Sequence, residues 1–146
     1  MKLYLMRHGQ AANKDVDPEQ GLTNYGKSAI EQLAHKLLDQ GMRFSQVMHS
    51  EKTRARQTAE IMSHIISPDA ALQQRKNLTP NSDPADLLEE INDWSDGTLV
   101  VSHLPFIPNL LKRLVDSHQV IALEPGTVVC LSKKGPQWQV DWIMSP

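Results

Sequence analysis

Leu3-Tyr4-Leu5-Met6-Arg7-His8-Gly9 sets an apolar run directly against an arginine, a histidine and a glycine. Leu3 to Met6 is too short for a helix and reads as a buried strand, which puts Arg7-His8-Gly9 at the strand's carboxyl end. The arrangement returns further along the chain. Ser45 to His49 reads as a second strand, followed by Ser50 to Thr58 with Arg54 and Arg56. Leu99 to Val101 is a strongly apolar strand that runs into Ser102-His103-Leu104-Pro105. In an open α/β sheet, ligands bind outside the carboxyl ends of the strands. Segments far apart in sequence are therefore expected to bring two histidines and at least two arginines to one crevice.

The intervening segments carry helical periodicity. Thr23 is a good N-cap, and Ile30, Leu33, Ala34, Leu37 and Leu38 recur at helical spacing before Gly41. Lys52 to Ile66 predicts a second helix, closed by Pro68. Ala71 to Gln74 reads as a short strand, Asp83 as the cap of a third helix reaching Trp94, and Ile107 to Val115 as a fourth helix. Thr127 to Leu131 and Trp138 to Ile143 read as closing strands joined across Lys133-Lys134-Gly135-Pro136. Strands separated by helices imply an α/β three-layer sandwich: a mostly parallel sheet with helices on both faces. The short last connection adds one antiparallel edge.

Composition narrows the class. The 146 residues fit a single domain, 1–146, with an aliphatic core, since aromatic residues are only 5%. Net charge is -2 and no basic block stands out, so no nucleic-acid partner is expected. The one cysteine, Cys130, rules out an internal disulfide and a four-ligand thiolate zinc site, and its apolar neighbours read as a buried thiol. No secretory signal and no apolar stretch of membrane-spanning length is present, which makes the cytoplasm the expected compartment and excludes a membrane partner.

The histidines and arginines suit a phosphoryl group. An arginine fork matches phosphate oxygens in pairs and keeps its charge. A neutral imidazole has a lone pair able to attack phosphorus. The start of the second helix adds N–H groups and positive dipole toward the same anion.

With these residues in view, the sequence resembles the histidine phosphatase (phosphoglycerate mutase-like) superfamily. Arg7-His8-Gly9, the run Ser50-Glu51-Lys52-Thr53-Arg54-Ala55-Arg56-Gln57-Thr58, and Val100-Val101-Ser102-His103 resemble its three motifs, and Leu22-Thr23 with Gly26 its helix-opening segment. Leu78-Thr79-Pro80, Ser102-His103-Leu104-Pro105 and Met144-Ser145-Pro146 resemble the small SixA-like phosphohistidine phosphatases within it. The resemblance runs from residue 3 to the last residue. It implies His8 as nucleophile, with Arg7, Arg54 and a protonated His103 as catalytic partners, and Arg7, Arg54, His103 and Leu104 as phosphate-binding residues. It implies no cofactor and no metal. The expected partner is a phosphohistidine-bearing protein such as a phosphotransfer domain.

Other residues have plainer readings. Two positions beyond Arg54, Arg56 points roughly 200° away around the helix and is assigned to the surface. His35, His64 and His118 lie in polar settings, and His49 closes the second strand with a structural role. A general acid for an alkoxide leaving group has no anchored candidate: Asp83 beyond Leu78-Thr79-Pro80, and Asp15, Asp17 or Glu19 in the first loop, stay open. A phosphoramidate needs less help, because the departing imidazole is protonated on its own nitrogen. Two alternatives stand beside this reading, a small-molecule phosphomonoesterase of the same fold and a phospho-ligand-binding module without turnover.

Overall fold

A computed structural model describes residues 1–116 and 121–146; His118 lies outside them. In chain order the elements are β1 (Lys2–Arg7), α1 (Asn24–Asp39), β2 (Gln46–Ser50), α2 (Thr53–Ile66), β3 (Ala71–Arg75), a 3-10 turn (Lys76–Leu78), α3 (Ala85–Ile91), β4 (Thr98–Ser102), α4 (Phe106–Leu114), β5 (Val128–Lys134) and β6 (Gln137–Met144). The strands form one six-stranded sheet in the order β3-β2-β4-β1-β5-β6. β1, β4, β2 and β3 run parallel, while β5 and β6 join antiparallel.

Alternation along each strand feeds two cores. Leu3, Leu5, Met48, Val100, Val129 and Leu131 face α3 and α4 through Leu87, Ile91, Phe106 and Leu110. Tyr4, Met6, Val47, Leu99, Val101 and Cys130 face α1 and α2 through Ile30, Leu33, Ala59 and Met62. Because both faces are covered, the central strands are apolar throughout rather than alternating with polar residues. Thr23 caps α1 as its sequence predicts, its side chain accepting the Gly26 N–H.

Boundaries differ from expectation where turns compete with regular structure. The third helix stops at Ile91, and the chain continues to Trp94 through bonds from Asp93 to Glu90 and from Trp94 to Ile91. The N-cap position is taken by Pro84 rather than Asp83, and the Asp83 carboxylate just before it accepts the Ala85 N–H at 2.9 Å. The last hairpin is longer than the hydrophobic pattern suggests, since Lys134 pairs with Gln137 around Gly135, whose φ is +62°. A two-residue turn with a left-handed first position needs glycine there.

The connections put the site in place. From β1 the chain crosses by α1 toward β2, and from neighbouring β4 it crosses by α4 toward β5, on the opposite face. Adjacent strands whose connections leave in opposite directions open a crevice at their carboxyl ends. His8 ends one of them and His103 the other, and the His8 N–H still bonds to the Ser102 carbonyl at 3.0 Å.

Candidate active site

The His8 and His103 rings face each other with centroids 5.1 Å apart and planes tilted by 58°. The His8 Nδ1 lies 2.7 Å from the Gly9 carbonyl oxygen. A carbonyl only accepts, so Nδ1 carries the ring hydrogen and Nε2 keeps its lone pair. The His8 pKa is pushed down to about 4, first by burial, with the charges of Arg54 and Arg7 adding to it; the Gly9 bond opposes the shift. His8 is therefore a neutral, oriented imidazole across the ordinary pH range.

Its position is fixed by α2. The Thr58 hydroxyl accepts the Gly9 N–H at 3.0 Å and donates to the Arg54 carbonyl at 2.8 Å. The neighbouring Gln57 accepts the Leu22 N–H at 2.7 Å, which ties the end of the first loop to the same helix. Glycine is required where this loop meets α1: a Cβ on Gly26 would come within 2.2 Å of the Gln10 carbonyl oxygen. Sequence reading assigned none of these roles to Gln57 and Thr58. The signal available was their place in the Arg54 motif, one helical turn beyond its arginine.

Two arginines border His8. Arg7 donates through Nη1 to the Leu123 carbonyl at 2.8 Å, while its Nε is buried without a partner among the described residues. Burial lowers its pKa, opposed by the nearby Glu124 carboxylate. Arg54 lies in the first turn of α2, its pKa also lowered by burial. Arg56, on the other side of the helix, pairs instead with Glu60 at 2.9 Å on the exposed surface. Arg54 and Arg56 thus lie on different sides of α2, as the helical repeat predicts.

His103 departs from the sequence expectation in charge. It is 1% exposed, and its pKa is pushed down to about 3 by burial first and then by His8, Arg54, Lys52 and Arg7. In the free protein burial first, and then the surrounding cations, favour the neutral ring over the protonated one expected from the sequence. Its Nε2 lies 2.8 Å from the Ser50 hydroxyl. The Ser102 hydroxyl beside it donates to the Leu78 carbonyl at 2.6 Å, tying the end of β4 to the segment before Thr79-Pro80. Leu104 follows with an exposed apolar side chain, so any contact it offers an anion falls to its backbone N–H.

An open groove of about 660 Å³ leads away from Arg54, lined by Lys14, Glu19, Glu51, Lys52, Thr79 and Asn81 among others. The carboxylates on its wall are Glu19 and Glu51 rather than Asp15 or Asp83. Asp15 is exposed in the first loop, and Asp83 is exposed with its carboxylate accepting the Ala85 N–H. Asp17 is likewise occupied, accepting the N–H groups of Glu19 and Gly21. His49 is buried and bonds through Nδ1 to the Ser50 carbonyl, His35 and His64 are exposed, and Cys130 is buried and unpaired. Among the described residues no group of three or more His, Cys, Asp or Glu is arranged to hold a metal ion, and no helix is long and apolar enough to cross a membrane.

A neutral histidine with an unprotonated Nε2 faces a second histidine, with Arg7 at the end of β1 and Arg54 in the first turn of α2 beside it, an arrangement suited to a phosphoryl group. The chain belongs to the histidine phosphatase superfamily: residues 3–79 match its branch 1. Among characterised proteins it is similar to the phosphohistidine phosphatase SixA of Escherichia coli K12, at 28% identity over all of this chain and 94% of that one. The solved structure of the protein histidine phosphatase SixA complexed with tungstate superposes with a TM-score of 0.87 at 26% identity, covering 99% of this chain and 97% of that one. A phosphoserine phosphatase from Entamoeba histolytica shares the fold, with a TM-score of 0.77 at 16% identity over 99% of this chain and 97% of that one. The chain is accordingly a hydrolase of the histidine phosphatase type.

Proposed function

We propose that this enzyme removes the phosphoryl group from phosphohistidine on a protein, through a covalent phospho-His8 intermediate. His8 Nε2 attacks phosphorus in line, and the bond to the substrate imidazole breaks as that ring leaves. Arg7, Arg54 and His103 hold the equatorial oxygens, and water then cleaves phospho-His8. The bound phosphoryl dianion supplies the counter-charge that the free site lacks, so it raises the proton affinity of His103. Catalytic charge in this scheme comes from side chains, with no metal or cofactor.

The observation that carries the proposal is the His8 Nδ1 bond to the Gly9 carbonyl, which leaves Nε2 as an unprotonated nucleophile. Full-length similarity to SixA supports phosphohistidine as the substrate, and the tungstate complex of a similar chain is consistent with an oxyanion at this kind of site. The partner is then a phosphohistidine-bearing protein such as a phosphotransfer domain, meeting the open groove in a small, transient interface. A cytoplasmic setting goes with such a partner.

One observation favours a second reading. Glu19 and Glu51 line the groove, and a carboxyl group there in its protonated form would give its proton to an alkoxide, as a small-molecule phosphomonoesterase requires. Offering the enzyme several phosphohistidine proteins and a panel of sugar phosphates at equal concentration decides between the two. A higher kcat/KM is expected for the phosphohistidine proteins; a sugar phosphate ahead of all of them would reject the assignment and leave the His8 chemistry standing.

A further inference from the structure

Ser50 closes β2, is fully buried, and joins the second histidine to the start of α2. Its Oγ lies 2.8 Å from His103 Nε2 and accepts the Lys52 backbone N–H at 3.1 Å. His103 Nδ1 is buried and has no partner among the described residues. The hydrogens in this cluster can be counted. A serine hydroxyl has one proton and two lone pairs, and a neutral imidazole has one N–H. The Lys52 N–H occupies one lone pair. Were the imidazole hydrogen on Nε2, Ser50 would accept twice and its own proton would be left without an acceptor among these partners. With the hydrogen on Nδ1, the Ser50 proton goes to Nε2 and every group in the cluster is satisfied except Nδ1–H. A buried donor without a partner is costly in a native structure and calls for an occupant.

We propose that Ser50 is a positioning residue that holds His103 in the Nδ1–H tautomer, so that its one N–H is reserved for a phosphoryl oxygen beside His8. The inference rests on the phosphatase reading for the identity of that oxygen, while the tautomer itself rests on geometry alone. The surroundings of His103 are consistent with a single ring proton in the free protein: burial first, and then His8 and Arg7 from the end of β1 and Lys52 and Arg54 from the start of α2, all disfavour a second one. The two rings are then complementary. His8 keeps Nδ1–H by donating to a carbonyl and offers a lone pair; His103 keeps Nδ1–H by accepting from a hydroxyl and offers a donor.

The test uses the full chain with histidine labelled in nitrogen-15, with long-range proton–nitrogen spectra recorded free and with orthophosphate. Wild-type protein is expected to show His103 protonated on Nδ1, with that signal shifting when orthophosphate binds. Ser50→Ala should show a mixed or Nε2-protonated ring, and Ser50→Thr, which keeps the hydroxyl, should restore the wild-type pattern. His8, tied to Gly9, should stay Nδ1-protonated in all three, which separates loss of the tautomer from general damage. Ser50→Ala should lose on the order of 10-fold or more in kcat with little change in KM, the mark of a contact made in the transition state. A wild-type His103 protonated on Nε2 would overturn the proposal, as would an unchanged tautomer in Ser50→Ala. If Ser50→Ala does not fold, Ser50→Cys, a weaker donor, replaces it with the same outcomes. A chain with the expected tautomer and no hydrolytic turnover would uphold the Ser50–His103 arrangement and overturn the proposed function alone.

Discussion

His8 and His49 share one local hydrogen bond and differ in nearly everything else that matters for chemistry: His8 lies just beyond β1, whereas His49 lies within β2, paired with Val101 and so level with Met6 in the sheet. Each follows the apolar core of a parallel strand, and each bonds through Nδ1 to the next residue's carbonyl, at 2.7 Å for His8 and 2.8 Å for His49. That bond gives both rings the same tautomer. Yet His8 faces a second histidine 5.1 Å away and lies within the fields of Arg54 and Arg7, whereas His49 is 3% exposed and packed under the end of the sheet. An unprotonated Nε2 is therefore common to the two; a wall of cationic side chains beside it belongs to His8. The local backbone sets the tautomer, and the neighbouring segments decide which histidine has arginines and a second imidazole beside it.

The largest expected effect tests this contrast directly. His8→Ala should leave no measurable turnover in a folded protein, because the site loses the atom that bonds to phosphorus. His49→Ala should keep turnover and lose stability instead, by about 1–3 kcal/mol for a buried hydrogen-bonding group. Turnover assays together with urea unfolding of both variants give the answer; a folded but inactive His49→Ala would collapse the comparison.

Next in size is the wall itself. Arg54→Lys should lose on the order of 100-fold in kcat, since a point charge cannot reproduce a fixed fork of donors. The measurement is steady-state kinetics on whichever phosphorylated substrate the parent enzyme turns over best. A loss of only a few-fold would mean that net charge, not geometry, is what the groove supplies.

The pH dependence has a definite sign. His8 and His103 have folded pKa values lowered from 6.5 to about 4 and about 3 by burial and surrounding cations. Between those values and 6.5 the unfolded chain binds more protons, so folding stability rises with pH across that window. The contribution is complete above pH 6.5 and is lost as pH falls toward 3. Replacing His8 by Asn should flatten part of this slope in urea midpoints recorded between pH 4 and 7, whereas His49→Asn serves as the comparison. An unchanged slope in the His8 variant would show that its pKa is not depressed.

The smallest effect is expected at Arg56. Arg56→Lys keeps an exposed charge near Glu60, and such an (i, i+4) pair is worth only about 0.3–0.5 kcal/mol. Turnover should stay close to that of the parent chain. A large loss there would reverse the assignment of the two arginines on α2.

Much of this was legible because it follows from periodicity. Apolar runs marked the central strands, helical spacing marked α1 and α2, and the 3.6-residue repeat separated Arg54 from Arg56. The resemblance of three strand-end motifs to one family picked out Arg7, His8, Arg54 and His103 as the site. The expectation that His8 rather than His49 is the nucleophile came from that resemblance, since Met48-His49 and Met6-Arg7-His8 each put a histidine after an apolar run.

The sequence by itself determined the alternation of strands and helices, the residues at the strand ends and the chemistry they suit. Only the tertiary structure decided the strand order, the neutral state of His103, and the side chains that hold the site in register. Thr58 reaches Gly9 across 49 positions, Gln57 reaches Leu22 across 35, and Ser50 reaches His103 across 53. A hydrogen bond depends on two atoms meeting within a few tenths of an ångström at the right angle, and no period in the chain records that meeting. Burial lowers a pKa only once the surrounding segments have closed over the group, so the charge of His103 is a property of the packed crevice and not of the residue.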